Sequence, residues 1–265
     1  MDWPESDKLA AFRSEVEAPL PEPLSLRDIS KHPDAEAHRQ PGRYDPDTSV
    51  IWVNRAYSGL QRVSVVSHEL ARAWQYARKY PRARPLYVPR DVPEDNRNLS
   101  EVIYRACTLT DRISDLVLDP AADRVVFARG IVQKDMVPLP MPKISTEGFT
   151  WFDSVVFYRE LSRLPDKIRG NAVVEASPYW LRYGLGAATN ACVLAAAMLR
   201  MTEAGRFHRV AIQAYDLYPG VIKRVSDWLM EIVRDNDIGT QAGCQNALET
   251  VLKRLGIPDS VVEVW

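Results

Sequence analysis

Cysteine and histidine are scarce in this chain, with three Cys and four His among 265 residues. Cys107, Cys192 and Cys244 are scattered, and there is no Cys-x-x-Cys pair, so a cysteine-based metal site has no footing. Each stands among apolar or small residues and reads as a buried core thiol. A nucleophilic cysteine needs a partnered base, and no local signature supplies one. An excess charge of either sign is also missing. The 34 Lys and Arg against 35 Asp and Glu leave a net charge of −1, which removes the electrostatic case for nucleic acid or an anionic membrane. The most apolar run, Ala187 to Met201, holds Asn190 and Arg200. It is shorter than the roughly 20 residues of a membrane span and reads as a buried helix. No apolar h-region follows the opening Met1-Asp2-Trp3-Pro4-Glu5-Ser6-Asp7, so no secretory signal is expected. Three unspaced cysteines then point to a reducing compartment. The expectation is a cytoplasmic protein that binds neither nucleic acid nor membrane.

What is present concentrates at His68-Glu69, inside the run Val65-Val66-Ser67-His68-Glu69-Leu70-Ala71-Arg72-Ala73-Trp74. At about 100° per residue, Val63, Val66, Leu70, Ala73, Trp74 and Ala77 gather into one apolar stripe. His68, Arg72 and Gln75 fall on the opposite side, flanked by Glu69, Val65 and Tyr76. A solvated helix would carry mostly long charged side chains there. An imidazole, a valine and a tyrosine predict two buried or half-buried faces, as in a helix lining a cleft. Upstream, Ser49-Val50-Ile51-Trp52-Val53-Asn54 is β-branched and aromatic and reads as a strand. It ends just before a turn-like stretch from Arg55 to Leu60.

A strand, a short connection and a helix carrying Val-Val-Ser-His-Glu-Leu-Ala resembles the zincin metallopeptidases, most of all their smaller gluzincin-type members. The resemblance covers roughly residues 49 to 130. The full motif of that family, His-Glu-x-x-His on a helix, sets two imidazoles one turn apart for zinc with the glutamate as general base. The resemblance implies His68 as first metal ligand and Glu69 as general base. It departs at Arg72, which stands where the second histidine would. It further implies that the strand borders a substrate cleft and that a following helix supplies an acidic third ligand.

That acidic residue is sought in the next helical run. Leu99, Val102, Ile103, Ala106, Leu109, Ile113, Leu116 and Val117 recur at helical spacing from Asn98 to about Asp119. Asn98 with Glu101 reads as a capping box. Asp119-Pro120 reads as the cap and first-turn proline of a new short helix ending at Gly130. Asp115 is then the candidate ligand, against the blander reading of a solvated pair with Arg112.

A catalytic zinc site takes three protein ligands and a water. Arg72 has no lone pair to give and stays protonated up to a pKa above about 12. Its charge also repels the ion, since two unit charges 4 Å apart interact by about 4 kcal/mol at an effective dielectric near 20. His32, His38 and His208 have no ligand spacing with His68. The site therefore reads as vestigial: His68 and Asp115 as metal positions left unoccupied, Glu69 as a general base without a reaction, and Arg72 filling the site by neutralising Glu69, Asp115 or both.

Prolines mark the organisation. Pro19, Pro21 and Pro23 break the first segment, Pro81, Pro85, Pro89 and Pro93 punctuate a loop, and Pro138, Pro140 and Pro142 form a stiff connector. The expected architecture is α+β and mainly helical. A zincin-like region spans 1–135, with an irregular segment at 1–48, followed by a Pro-rich connector at 136–150 and a helical region at 151–265. Within that last region, helices are expected at Trp151 to Leu164, at Tyr179 to Met201, after Pro219 and after Thr240, with a last strand at Val261 to Val264. The function expected is a non-catalytic, pseudoenzyme-like zincin protein that binds a protein or peptide partner and needs no cofactor. Two alternatives stand beside it: a metal-dependent hydrolase with an atypical ligand set, in which case zinc is the cofactor, and a helical interaction module unrelated to zincins.

Overall fold

Val50–Val53 (β3) is apolar at every position, and such a strand needs cover on both faces. The computed structural model describes residues 1–35, 37–85, 97–132, 178–205, 220–255, 257 and 262–265. In it β3 is the middle strand of a three-stranded mixed sheet. Ser25–Asp28 (β1) pairs with it in parallel, Ser25 opposite Val50. Gly42–Asp45 (β2) pairs with it antiparallel, Gly42 opposite Val53. Ile51 and Val53 face the main core, while Val50 and Trp52 join Ile29 and Ala37 on the other side.

The chain divides into two units, which are not consecutive in sequence. Over the described residues the first takes in 1–80, 119–132 and 200–205. It holds the sheet, Asp7–Glu17 (α1), Gly59–Ala77 (α2), the C-terminal end of Arg97–Ala128 (α3) and the last residues of Pro178–Glu203 (α4). Its core joins Leu9, Phe12 and Val16 of α1, Val66, Leu70 and Ala73 of α2, and Ala122 and Val126 of α3. Every residue of α2 from Ser64 to Ala71 is buried, as the two-faced pattern predicts.

Two expectations need correction here. Residues 1–48 are not irregular. They contain α1, β1, β2 and two short 3-10 turns, and Pro19, Pro21 and Pro23 lie between α1 and β1 rather than inside either. The second concerns Asp119-Pro120, which starts no new helix, because α3 runs straight through Pro120. A proline inside a helix costs about 3 kcal/mol. Leu116, Val117 and Leu118 before it and Ala121 and Ala122 after it are all buried, and their packing outweighs that cost. Gly130, at φ 61°, lies in the left-handed region just beyond the helix end.

The second unit holds Ala83–Pro85 (β4), most of α3 and α4, Gly220–Arg234 (α5), Gln241–Arg254 (α6) and Val262–Val264 (β5). β4 and β5 pair antiparallel. Thr240 caps α6 as expected, its Oγ1 accepting from the Gly243 N–H at 3.1 Å. Gly243 must lack a side chain, because a Cβ there would lie 1.9 Å from the Asp237 backbone oxygen. Past the helix, the Ile257 N–H donates back to the Leu252 carbonyl at 3.0 Å. Cys192 and Cys244 are free and buried. Burial pushes the Cys192 thiol up to about 12, away from the thiolate form. The Pro-rich connector, the helix expected at Trp151 to Leu164 and the side chain of Cys107 lie outside the described residues. The fold is α+β and mainly helical. Among the described residues no helix is long and apolar enough to cross a membrane.

Candidate functional site

The charged groups described around His68 belong to the first unit. α2 presents His68, Glu69 and Arg72, α3 presents Asp119 and Asp123 one turn apart, and Arg200 stands near the end of α4. His68 is 8% exposed, Asp123 3% and Arg200 8%, so their polar atoms must satisfy one another.

They do so through Asp123. The His68 Nδ1–H donates to Asp123 Oδ1 at 2.7 Å. Arg200 Nε donates to Asp123 Oδ2 at 2.7 Å and its Nη2 to Oδ1 at 3.3 Å, a two-pronged pairing of guanidinium with carboxylate. Arg200 Nη2 is also 3.4 Å from His68 Nδ1. Both of those nitrogens donate, so that approach is repulsive.

The other ring nitrogen, His68 Nε2, is 3.5 Å from Asp119 Oδ1. Arg72 Nε is 3.5 Å from the same oxygen. At that length both contacts are ion pairs rather than hydrogen bonds, and Asp119 Oδ1 makes no hydrogen bond although it is buried. Arg72 thus pairs with Asp119, a carboxylate the sequence reading did not pair it with. Asp115 accepts from Arg112 Nη1 at 3.1 Å, the blander of its two readings, and the carboxylates that meet His68 are Asp119 and Asp123. Glu69 is engaged elsewhere, its Oε2 accepting from the Tyr44 N–H of β2 at 2.8 Å.

That last bond depends on a glycine. Tyr44 and Gly42 are the residues of β2 whose amides turn away from β3, since Pro41 already pairs with Asn54 and hydrogen-bonded pairs alternate along an antiparallel ladder. A Cβ on Gly42 would meet Val65 Cγ1 at 2.7 Å and Glu69 Cγ at 3.0 Å. Its absence lets β2 close on α2 until Glu69 reaches the strand.

The electrostatics follow from the geometry. Burial and the Arg200 charge press His68 toward its neutral form, but Asp123 and Asp119 outweigh them and push its pKa up to about 9. Burial would raise both aspartates. Arg72 and then His68 hold Asp119 far below the usual carboxylate range, and Arg200 and then His68 lower Asp123. Burial works against the Arg200 charge, and Asp123 with Asp119 more than offsets it. With His68 protonated, the cations His68, Arg72 and Arg200 are matched by the carboxylates Glu69, Asp119 and Asp123.

These residues do not fit a zinc ion. A catalytic zinc site takes three protein ligands, and beside His68 the second ligand position holds Arg72, whose guanidinium has no lone pair to give. Arg72 also puts a fixed charge beside Asp119 Oδ1. Among the described residues no group of three or more His, Cys, Asp or Glu is arranged to hold a metal ion.

Sequence reasoning missed Asp123 and Arg200 and took Asp119 for a cap. The signal for the aspartates was their spacing of four in an otherwise apolar stretch, hidden by Pro120. For Arg200 it was a charge at the end of an apolar helix, since a buried arginine demands an acidic partner. No family model, curated protein or solved structure matches this chain.

Proposed function

We propose that this chain is a non-catalytic, cytoplasmic protein built on a zincin-like helix pair, with a degenerate metal site, and that it acts by binding a protein or peptide partner. One observation carries the reading: Asp119 Oδ1 stands 3.5 Å from both His68 Nε2 and Arg72 Nε. A histidine that binds a metal through one nitrogen almost always donates the other N–H to a carboxylate. His68 keeps that arrangement, with Asp123 on Nδ1 and a second carboxylate at Nε2. The Asp119 oxygen that faces Nε2 also faces the guanidinium of Arg72, one helical turn from His68. Glu69, the residue at the general-base position, spends one oxygen on a backbone amide instead of a water. With these groups committed to one another, binding is the role left to the fold, so the partner class rests on elimination. The cytoplasmic assignment rests on the scattered spacing of the cysteines, of which Cys192 and Cys244 are free.

The test is hydrolysis of peptide and ester substrates by the purified chain, with zinc, cobalt or manganese added, beside Glu69→Gln. The expected result is no turnover above buffer and no difference between parent and variant. Metal-dependent turnover that Glu69→Gln abolishes would establish an atypical metallohydrolase instead.

A further inference from the structure

Arg200 has no part in the His-Glu-x-x-His pattern, yet it is the most deeply committed cation of the cluster. Its side chain is 10% exposed and that of Asp123 4%. The two meet through both guanidinium prongs, and Asp123 then accepts the His68 Nδ1–H on the oxygen it shares with Arg200 Nη2. One carboxylate therefore joins a side chain from α2 to a side chain from α4, with α3 supplying the bridge. Coordination bonds to an ion would perform the same task of drawing residues from separate helices to one point.

We infer that the Asp123–Arg200 pair is the metal-free tie of this site: Arg200 fixes Asp123, Asp123 fixes the His68 ring, and α2 and the ends of α3 and α4 that lie in the first unit are held together without an ion. Arg200 is a positioning residue, acting on His68 through Asp123. This rests on the reading above that the site carries no metal. Arginine is required, because its planar fork matches both carboxylate oxygens, whereas lysine is a compact point charge. Removing one partner alone leaves the other charged and buried, which costs far more than removing both. The signature of the tie is therefore strong non-additivity between the two positions.

The experiment compares the parent with Arg200→Met, Arg200→Lys, Asp123→Asn and the double variant Asp123→Asn/Arg200→Met. It reads Tm with and without EDTA, bound metal, and the His68 ring signals by NMR. The tie predicts no EDTA effect on the parent and a Tm lower by roughly 10 °C in Arg200→Met. It also predicts little recovery in Arg200→Lys, a double-variant loss well below the sum of the single losses, and a displaced His68 Nδ1 proton resonance whenever Arg200 is replaced. If Arg200→Met does not fold, Arg200→Lys and the double variant decide by the same criteria. Additive losses, full rescue by lysine, or an unchanged His68 signal would overturn the tie in a metal-free protein. One equivalent of bound metal together with an EDTA-sensitive Tm would overturn the metal-free reading itself.

Discussion

Arg72 and His68 share a single oxygen of Asp119, and what each contributes depends on how far water reaches them. The Arg72 side chain is 21% exposed and that of Asp119 14%, between the limits of a surface pair and a buried one. Arg72→Ala should therefore cost roughly 1–3 kcal/mol, above the usual surface value and below the 3–5 of a fully buried pair. Urea denaturation of parent and variant checks this, and a loss within error of zero would show that the pair is solvated. Asp123, and after it Asp119, also make stability depend on pH through His68. His68 has a folded pKa of about 9 against an ordinary value near 6.5, so its contribution is complete below about pH 6.5. That contribution fades as pH rises from there through about 9, and it amounts to on the order of 3 kcal/mol across the window. His68→Asn should flatten this slope. Asp119 and Asp123 run the other way. With folded pKa values held below the unfolded ones, their contribution is complete above the ordinary aspartate range and is lost only as acid reaches those depressed values.

At the scale of elements, two glycines mark where backbone must come close. Gly42→Ala would drive a methyl into Val65 and Glu69, costing roughly 1–3 kcal/mol as overpacking does and loosening the Glu69 bond to Tyr44. Hydrogen exchange at the Tyr44 amide is the direct readout, and unchanged protection would contradict it. Gly243→Ala is expected to be worse, roughly 2–4 kcal/mol, because the new Cβ would meet backbone that cannot swing aside. The elements themselves were largely legible. The β3 segment showed its β-branched run, α2 its apolar stripe, and Thr240 its capping position, because in each case the local pattern and the packing agree. α3 was cut short at Pro120 because local propensity argued for a stop, whereas buried residues on both sides carry the helix on. That one error hid Asp123 and misassigned Asp119, so two of the six charged residues of the cluster were lost with it.

For the whole molecule, sequence order was a poor guide to the units. A boundary near residue 135 follows the prolines, but α3 and α4 each contribute to both units. Arg200 reaches His68 across 132 residues of chain, a closure that no local pattern announces. The histidine and its motif position were readable because they lie within one helix. Their partners were not, because they come from two other helices. The central claim is that Arg72 occupies the place of an ion, and zinc titration of Arg72→His beside the parent and Arg72→Ala tests it most directly. The account predicts one zinc per chain for Arg72→His, lost again when His68 is replaced by alanine, and no comparable binding by the parent or Arg72→Ala. If Arg72→His binds zinc no more tightly than the parent, the degenerate-site reading is wrong and His68 is only a buried, ion-paired core histidine.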